Sequence, residues 1–494
     1  MTMAMRDNGR RLEIMGSPGH RRRALYPSRH ALSQPWATSS SSCHLGSRSW
    51  ATVRSLPALI MHSLLNVVTA PRRRAQLAAC GLAIALLGSP ANAADRLSPD
   101  ELTPGLLTGS LFRELARHGV ALQASTTLDA LTNTRGGRAR GAAPALLTEI
   151  RAGFDLTRLA DLPGWTAEAH LINHALDRIN ADRVGATTGV TNIETVHSGT
   201  KLYRLWIERE AAEAGRALRV GLFPLEHEFF LLESAASFIH PTNGPQGDYA
   251  TTLGAAIYNH AGFGARLREQ SADRARYLMA ALLDRPLEDT NFVRTSGLSF
   301  PRAPGLHLMI EAGYTPLEAT PLRDARERFD KTAVGLWTYS RRDPHLSQRD
   351  AAGEPVRARN AGWYLLREQT LLARPDGSGM LAGFARLSGS DARASPIRES
   401  LNAGFRLAGW VPGRATDTSA VMVAVHRLGN PRREAIAAQG AIAATTERVF
   451  ELNHRIELLP ALSLMQLAQW ISQPGGLRST GASRVLGARL GIVF

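Results

Sequence analysis

Three short strings in this sequence have the residue types of a reaction centre. His227-Glu228-Phe229-Phe230-Leu231 begins like a zinc-hydrolase helix, in which two histidines four residues apart flank a general-base glutamate. Leu231 stands where the second ligand is required, so no metal site is expected there. Ser198-Gly199-Thr200-Lys201 has the serine-lysine spacing of an acylating nucleophile, and Lys331-Thr332 faintly echoes the later motif of such enzymes. The Ser-Asp-Asn element is missing, and Ala333 replaces the glycine that should follow Thr332. Gly136-Gly137 lacks the helix and spacing of a nucleotide-binding loop and reads as a tight hairpin. The expectation is a chain with no catalytic residues, no metal and no cofactor, and therefore not an enzyme. A fourth set differs in kind: Glu451, Asn453, Arg455 and Glu457 recur at every second position, and Arg489 sits in a similar alternating run. Donors, acceptors and charges of both signs at that spacing would form the wall of a wet interior.

A period of two requires strands. In FELNHRIEL the polar set faces away from Phe450, Leu452, Ile456 and Leu458, with His454 on the apolar face. In the terminal SRVLGARLGIVF, Leu486, Ala488, Leu490, Ile492 and Phe494 share one face, while Ser483, Gly487, Arg489 and Gly491 fall on the other. Similar alternation runs through segments beginning at Gly119, Arg216, Arg276, Leu306, Val334, Gly362 and Ser419. Turn-forming clusters such as NTRGGRARG, HPTNGPQGD, RPDGSG and WVPGRATD separate them. Two segments predict short helices: TGSLFRELARHG, with Leu111, Phe112 and Leu115 on one side and Gly119 at its end, and TKLYRLWIEREAAEAG, with Leu202, Leu205, Trp206 and Arg209 at helical spacing before Gly215.

Strands with one apolar and one polar face suit a soluble sandwich or propeller, or a barrel closed in lipid. The export signals select the barrel. Arg72 to Arg74 precede the apolar run AQLAACGLAIALLGS, which ends at Ala91-Asn92-Ala93; this predicts a signal peptide over 61–93, cleaved after Ala93. Residues 1–60 are Arg- and Ser-rich without periodicity and read as a gene-model extension or a disordered tail. Cys43 and Cys80 both precede the cleavage point, leaving no cysteine beyond it. An N-terminal periplasmic or lumenal segment is expected over 94–118 and the barrel domain over 119–494. The formal charge of +15 is concentrated at the front, where residues 1–93 carry 12 arginines against Asp7 and Glu13, so nucleic-acid binding is disfavoured. Leu490, Ile492 and Phe494 are expected to act as the outer-membrane insertion signal read by the barrel-assembly machinery.

In order along the chain, GVALQASTTLDALTNTRGG, FDLTRL, KLYRLWIERE, VGLFPLEHEFF with SFIHP behind it, GWYLLREQ, TERVFELNHRIEL, QWISQPGG and the terminal ARLGIVF resemble the carbohydrate-selective porins of Gram-negative outer membranes, the OprB-like family. The resemblance covers residues 105–494. The chain departs from the family pattern at Glu226, where aspartate is usual, at His240, where asparagine is usual, and at Gln466-Leu467, where Pro-Asp precedes the PGG turn. The resemblance implies an all-β transmembrane antiparallel barrel of about 16 strands with short helical segments, carrying small glucose-type sugars by passive diffusion. It implies lipid and lipopolysaccharide as neighbours, and it leaves the oligomeric state open. A general or weakly anion-selective porin and a secreted soluble β-rich hydrolase are the alternatives. Glu451, Asn453, Arg455, Glu457 and Arg489 are the expected pore-lining residues.

Overall fold

The computed structural model describes residues 110–211, 213–287, 305–316, 328–375 and 379–494. The expected signal peptide and the segment before it lie outside the described residues, as does most of the segment 94–118. Sixteen long strands form one antiparallel sheet: β1 Val120–Arg135, β2 Ala145–Asp155, β3 Trp165–Leu176, β4 Gly199–Ala211, β5 Arg216–Phe223, β6 Gly262–Gln270, β7 Arg276–Asp284 and β8 Leu306–Tyr314, followed by β9 Asp330–Tyr339, β10 Ala361–Ala373, β11 Met380–Ser390, β12 Ile397–Ala408, β13 Thr418–Leu428, β14 Thr446–Leu459, β15 Leu462–Ser472 and β16 Ser483–Val493. Each pairs with its sequence neighbour, and β16 returns to β1, with Ser125 opposite Val493 and Leu128 opposite Leu490. Closure leaves no unpaired sheet edge, which is the condition for strands to cross hydrocarbon. A two-residue strand, Gly141–Ala142, adds to β1, and a separate hairpin pairs Asp343–Arg349 with Pro355–Ala358.

The exposure pattern is that of a soluble protein turned inside out. Leu365, Leu401, Phe405, Val423, Leu452 and Leu486 are large apolar side chains on the outer face and are exposed, whereas Glu368, Asn402, Arg406 and Glu451 on the same strands are buried. The alternation follows from the pleat, which sends successive side chains to opposite faces. One end carries the start of β1, the end of β16 and turns as short as Pro460-Ala461; the other carries the longer connections, among them 177–198, 224–261 and 429–445. Gly136 and Gly137, with φ of 66° and 64°, turn the chain after β1 in a left-handed conformation, as the tight-hairpin reading requires.

The helix expected in TGSLFRELARHG is present as Ser110–Arg117. The helix expected in TKLYRLWIEREAAEAG is not: these residues form β4. The register shift between His170/Leu171 and the facing β4 residues breaks the alternation in Lys201-Leu202-Tyr203-Arg204, all of which are buried. A helical spacing of Leu202, Leu205 and Trp206 results by coincidence. Beyond the shift, Leu205 and Ile207 point outward and Trp206, Glu208 and Glu210 inward, and pairing with β3 and β5 overrides the weak helical signal.

The assignment of faces makes a direct prediction. Leu365→Arg, on the outer face, should lower the free energy of folding into lipid vesicles by about 2–4 kcal/mol, measured by reversible denaturant titration. Ser125→Arg, on the inner face, should have a clearly smaller effect, and equal losses would refute the assignment.

Candidate functional site

Two connections fold back into the barrel: 177–198, between β3 and β4, and 224–261, between β5 and β6. Their apolar side chains fill one side of the interior. Phe230 stacks on Tyr249 at 4.9 Å between ring centres and lies 4.3 Å from Tyr364, and Tyr249 meets Trp337 edge-on at 5.2 Å. Phe238 packs against Phe384 on β11. The inner faces of β7 to β9 and of β13 add Met279, Leu283, Met309, Trp337 and Met422 to the same buried cluster.

A chain segment inside a barrel also brings peptide N–H and C=O groups away from water, and these must be paired. Buried carboxylates on the wall meet the N–H groups. Glu451 accepts from the backbone N–H of Ile239 and of His240, both at 3.0 Å, and also from Asn453 and Gln469 side chains. Glu447 accepts from the N–H of Thr187, Thr188 and Gly475. Glu368 receives Glu233 and Ser234, and Glu311 receives the Phe230 N–H together with the hydroxyls of Tyr277 and Tyr364. Cations and amides meet the carbonyls: Lys331 donates to Leu231 O, Lys201 to Asn259 O, Asn402 to Thr242 O and Asn453 to Ser237 O. Thus the chain's two lysines both hold connection 224–261. At its start, Glu228 bridges Arg219 and Arg266, which share Glu208 on β4, in a buried network of alternating charge. The string that resembled a zinc helix therefore supplies a clamp, and among the described residues no group of three or more His, Cys, Asp or Glu is placed to hold a metal ion.

The five wall residues singled out by spacing occupy two environments. Glu451 and Asn453 face inward but are covered by connection 224–261, with relative exposures of 0% and 3%. Arg455 and Glu457, further down β14, form an ion pair at 2.8 Å and keep 47% and 25% of their side-chain surface. Arg489 makes a two-toothed pair with buried Asp129 at 2.6 and 2.8 Å and donates to Thr191 and Asn192 of connection 177–198. Leu490 and Ile492 fall on the outer-face positions of β16, and Phe494, just past its end, donates its N–H to Ala124 O and so ties the last residue to β1.

Sequence spacing missed the rest of this strip. On β1 and β2, Gln123, Ser125, Thr127, Glu149 and Arg151 face inward and are partly exposed. Arg151 reaches Glu168 at 3.1 Å, and His170 reaches Glu149 at 3.1 Å. Behind them Arg204 pairs with Glu168 at 3.2 Å. Connection 224–261 presents Tyr258 to this side, its hydroxyl bonded to His174 and its backbone N–H to Glu226, which also accepts from Tyr203. The segment GVALQASTTLDAL carries the β1 part of this strip at alternate positions, but its polar residues are small and its charge is confined to Asp129. On strands β14, β16, β1 and β2, the half of the wall nearer the start of β1 and the end of β16 thus carries polar and charged groups of both signs, interrupted on β15 by buried Met465 and Leu467.

A closed sixteen-stranded barrel, apolar outside, with connections folded into its interior, is an outer-membrane porin. The family model of the carbohydrate-selective porins, the OprB family, matches residues 139–494, and the chain belongs to that family. Its class is that of the non-enzymatic channels of the outer membrane. Among solved structures, the high-pH structure of Pseudomonas putida OprB is 16% identical with a TM-score of 0.70, the alignment covering 78% of this chain and 97% of that one. The low-pH structure of the same protein is 15% identical at a TM-score of 0.48, covering 78% and 98%. A mutant of Rh. blastica porin is 11% identical at 0.40, covering 76% and 100%. No curated protein matches the sequence.

Removing an anchor should free the connection without opening the barrel. Glu451→Ala strands the Ile239 and His240 N–H groups at about 1–3 kcal/mol each, so limited proteolysis of the folded protein should cleave near 238–246 faster than in the parent; unchanged cleavage would refute the anchoring role. A second prediction concerns Asp248, where the Ser388 hydroxyl donates to the carboxyl and the Ser400 hydroxyl accepts from the backbone N–H. Burial pushes its carboxyl up to about 7 from an ordinary 3.8. The unfolded chain loses this proton near pH 4 and the folded chain near pH 7, so Asp248 disfavours folding increasingly across that window. His240, which burial pulls down to about 3, acts in the opposite sense below pH 6.5. Asp248→Asn isolates the first effect: its stability relative to the parent should rise from pH 4 to pH 7 and level off above. Parallel curves would refute it.

Proposed function

We propose that this protein conducts small neutral sugars of glucose size by passive diffusion along the strip formed by β14 to β16, β1 and β2. The observation that carries this reading is the composition of that strip. A sugar entering a narrow pore sheds water from its hydroxyls, and replacements must come from donors and acceptors on the wall. Arg455, Arg151 and Arg489 supply donors, Glu457 and Glu149 acceptors, and Ser125 and Thr127 both. Because the charges alternate in sign, neither a cation nor an anion is strongly favoured over a neutral solute. Tyr258 offers the strip an aromatic neighbour. Glu451 and Asn453 serve this path indirectly, by holding the connection that narrows it.

In this reading the end with short turns, where β1 starts and β16 ends, faces the periplasm, and the end with long connections faces outward. The cleaved leader over 61–93 delivers the chain, and the terminal strand ending at Phe494 is what the assembly machinery recognises.

The test is single-channel recording in a planar bilayer, with and without glucose. Glucose should lower the conductance in steps that saturate. In the double variant Arg151→Gln, Arg455→Gln the reversal potential in a salt gradient should move toward cation selectivity, and glucose block should weaken by several fold. Conductance indifferent to glucose would replace the sugar pore by a general one, and a folded protein without conductance would remove the transport reading.

A further inference from the structure

The outer rim at the end bearing the long connections is not uniform. On β7, β8 and β10 large apolar side chains face outward near this end: Leu282, Leu306, Leu308 and Trp363 are all exposed. On β13, β14, β16 and β1 there are arginines. Arg427 lies next to the end of β13, Arg448 near the start of β14, Arg484 near the start of β16 and Arg135 at the end of β1, and all four are exposed. Their neighbours Glu447, Val449, Ser483 and Val485 are buried inside, which fixes Arg448 and Arg484 on the outer face, and a register shift after Asn133 brings Arg135 opposite Arg484 on that face.

Arg427 is ion-paired with Glu399 at 3.2 Å. Among the described residues, Arg135, Arg448 and Arg484 have no ion pair or hydrogen bond to their guanidinium groups. Moreover, Arg135 and Arg484 are direct cross-strand partners. Two like charges opposite one another destabilise a strand pair, and here no carboxylate relieves them. At the other end of the barrel outward arginines do have acidic partners: Arg216 pairs with Glu269 and Arg276 with Asp273. Just inside the arginine rim lie exposed Trp470, which is opposite Arg484, and then Leu452 and Leu486, so the cations border an apolar surface.

We infer that this rim binds a glycolipid of the outer leaflet whose sugar headgroup carries two phosphates, the lipid part of lipopolysaccharide. One phosphate sits between Arg135 and Arg484, relieving their repulsion through paired guanidinium hydrogen bonds. The second meets Arg448, two strands away and therefore about 10 Å along the rim, a separation that a doubly phosphorylated disaccharide spans and a single phosphate does not. Trp470 lies at headgroup level between them, and the acyl chains run down over Leu452 and Leu486. The inference rests on the proposed orientation, in which this end faces the cell exterior.

The folded protein is titrated in detergent with bis-phosphorylated lipid A, monophosphorylated lipid A and phosphatidylglycerol, and bound lipid is counted by native mass spectrometry. The parent should prefer the bis-phosphorylated glycolipid. The triple variant Arg135→Gln, Arg448→Gln, Arg484→Gln should bind it at least tenfold more weakly, with its conductance and its heat-modifiable gel mobility unchanged. The variant Arg216→Gln, Arg276→Gln at the opposite rim should bind as the parent does. Equal binding by the triple variant, or equal binding of phosphatidylglycerol by the parent, would overturn the site. Arginine-dependent lipid binding by a parent that conducts no ions would sink the channel reading and leave this one standing.

Discussion

The structure depends on satisfying the backbone of a chain segment that is folded into the middle of a barrel. The barrel wall pairs its own amides, strand to strand, and needs nothing further. Connections 177–198 and 224–261 have no such ladder, yet they carry their peptide groups to places where water is excluded. Wall carboxylates and wall cations take over the role of neighbouring strands. A buried carboxylate is costly by itself, but one that accepts three or four hydrogen bonds is compensated and holds its donors firmly. Glu451 and Glu447 are of this kind, and Glu311 also holds Phe230, whose φ of 64° is unusual for a residue with a side chain.

That constraint divides the interior. Where the connection is packed by its aromatic rings, against β7 to β13, the space is filled, and wall groups such as Glu311, Glu368 and Asn402 are taken up in holding it. Where it is not, on the side of β14 to β2, the wall keeps charged and hydroxyl groups with surface to spare. The open part of the wall is thus a by-product of where the packing stops. The outside obeys a different rule, since every strand must present side chains that lipid accepts. Alternation along each strand meets both demands at once because the pleat separates them physically.

Much of the fold was legible because those two demands leave a period of two. β14 and β16 show it most clearly: their inward residues are polar and their outward ones apolar. It fades in RYLMAALLD on β7, whose inner face is as apolar as its outer one, because there the inner face packs on a connection rather than on water. In β4 it fails at the register shift, and a helix was expected in its place. The site was legible only in part. Spacing singled out Arg455 and Glu457, which keep exposed surface, Arg489, which pairs with Asp129, and equally Glu451 and Asn453, which hold the connection. Glu149 and Arg151 went unremarked, since nothing local distinguishes them from other strand residues.

The amino-acid sequence by itself determined that the chain alternates and turns, because alternation and turn chemistry are local properties read within a few residues. Only the tertiary structure decided which inward residues remain open to the lumen. That choice is made by contacts across hundreds of residues, such as Glu451 with His240 or Arg489 with Asn192. A side chain's face is set by its own strand, whereas its access to solvent is set by whichever distant segment comes to lie over it.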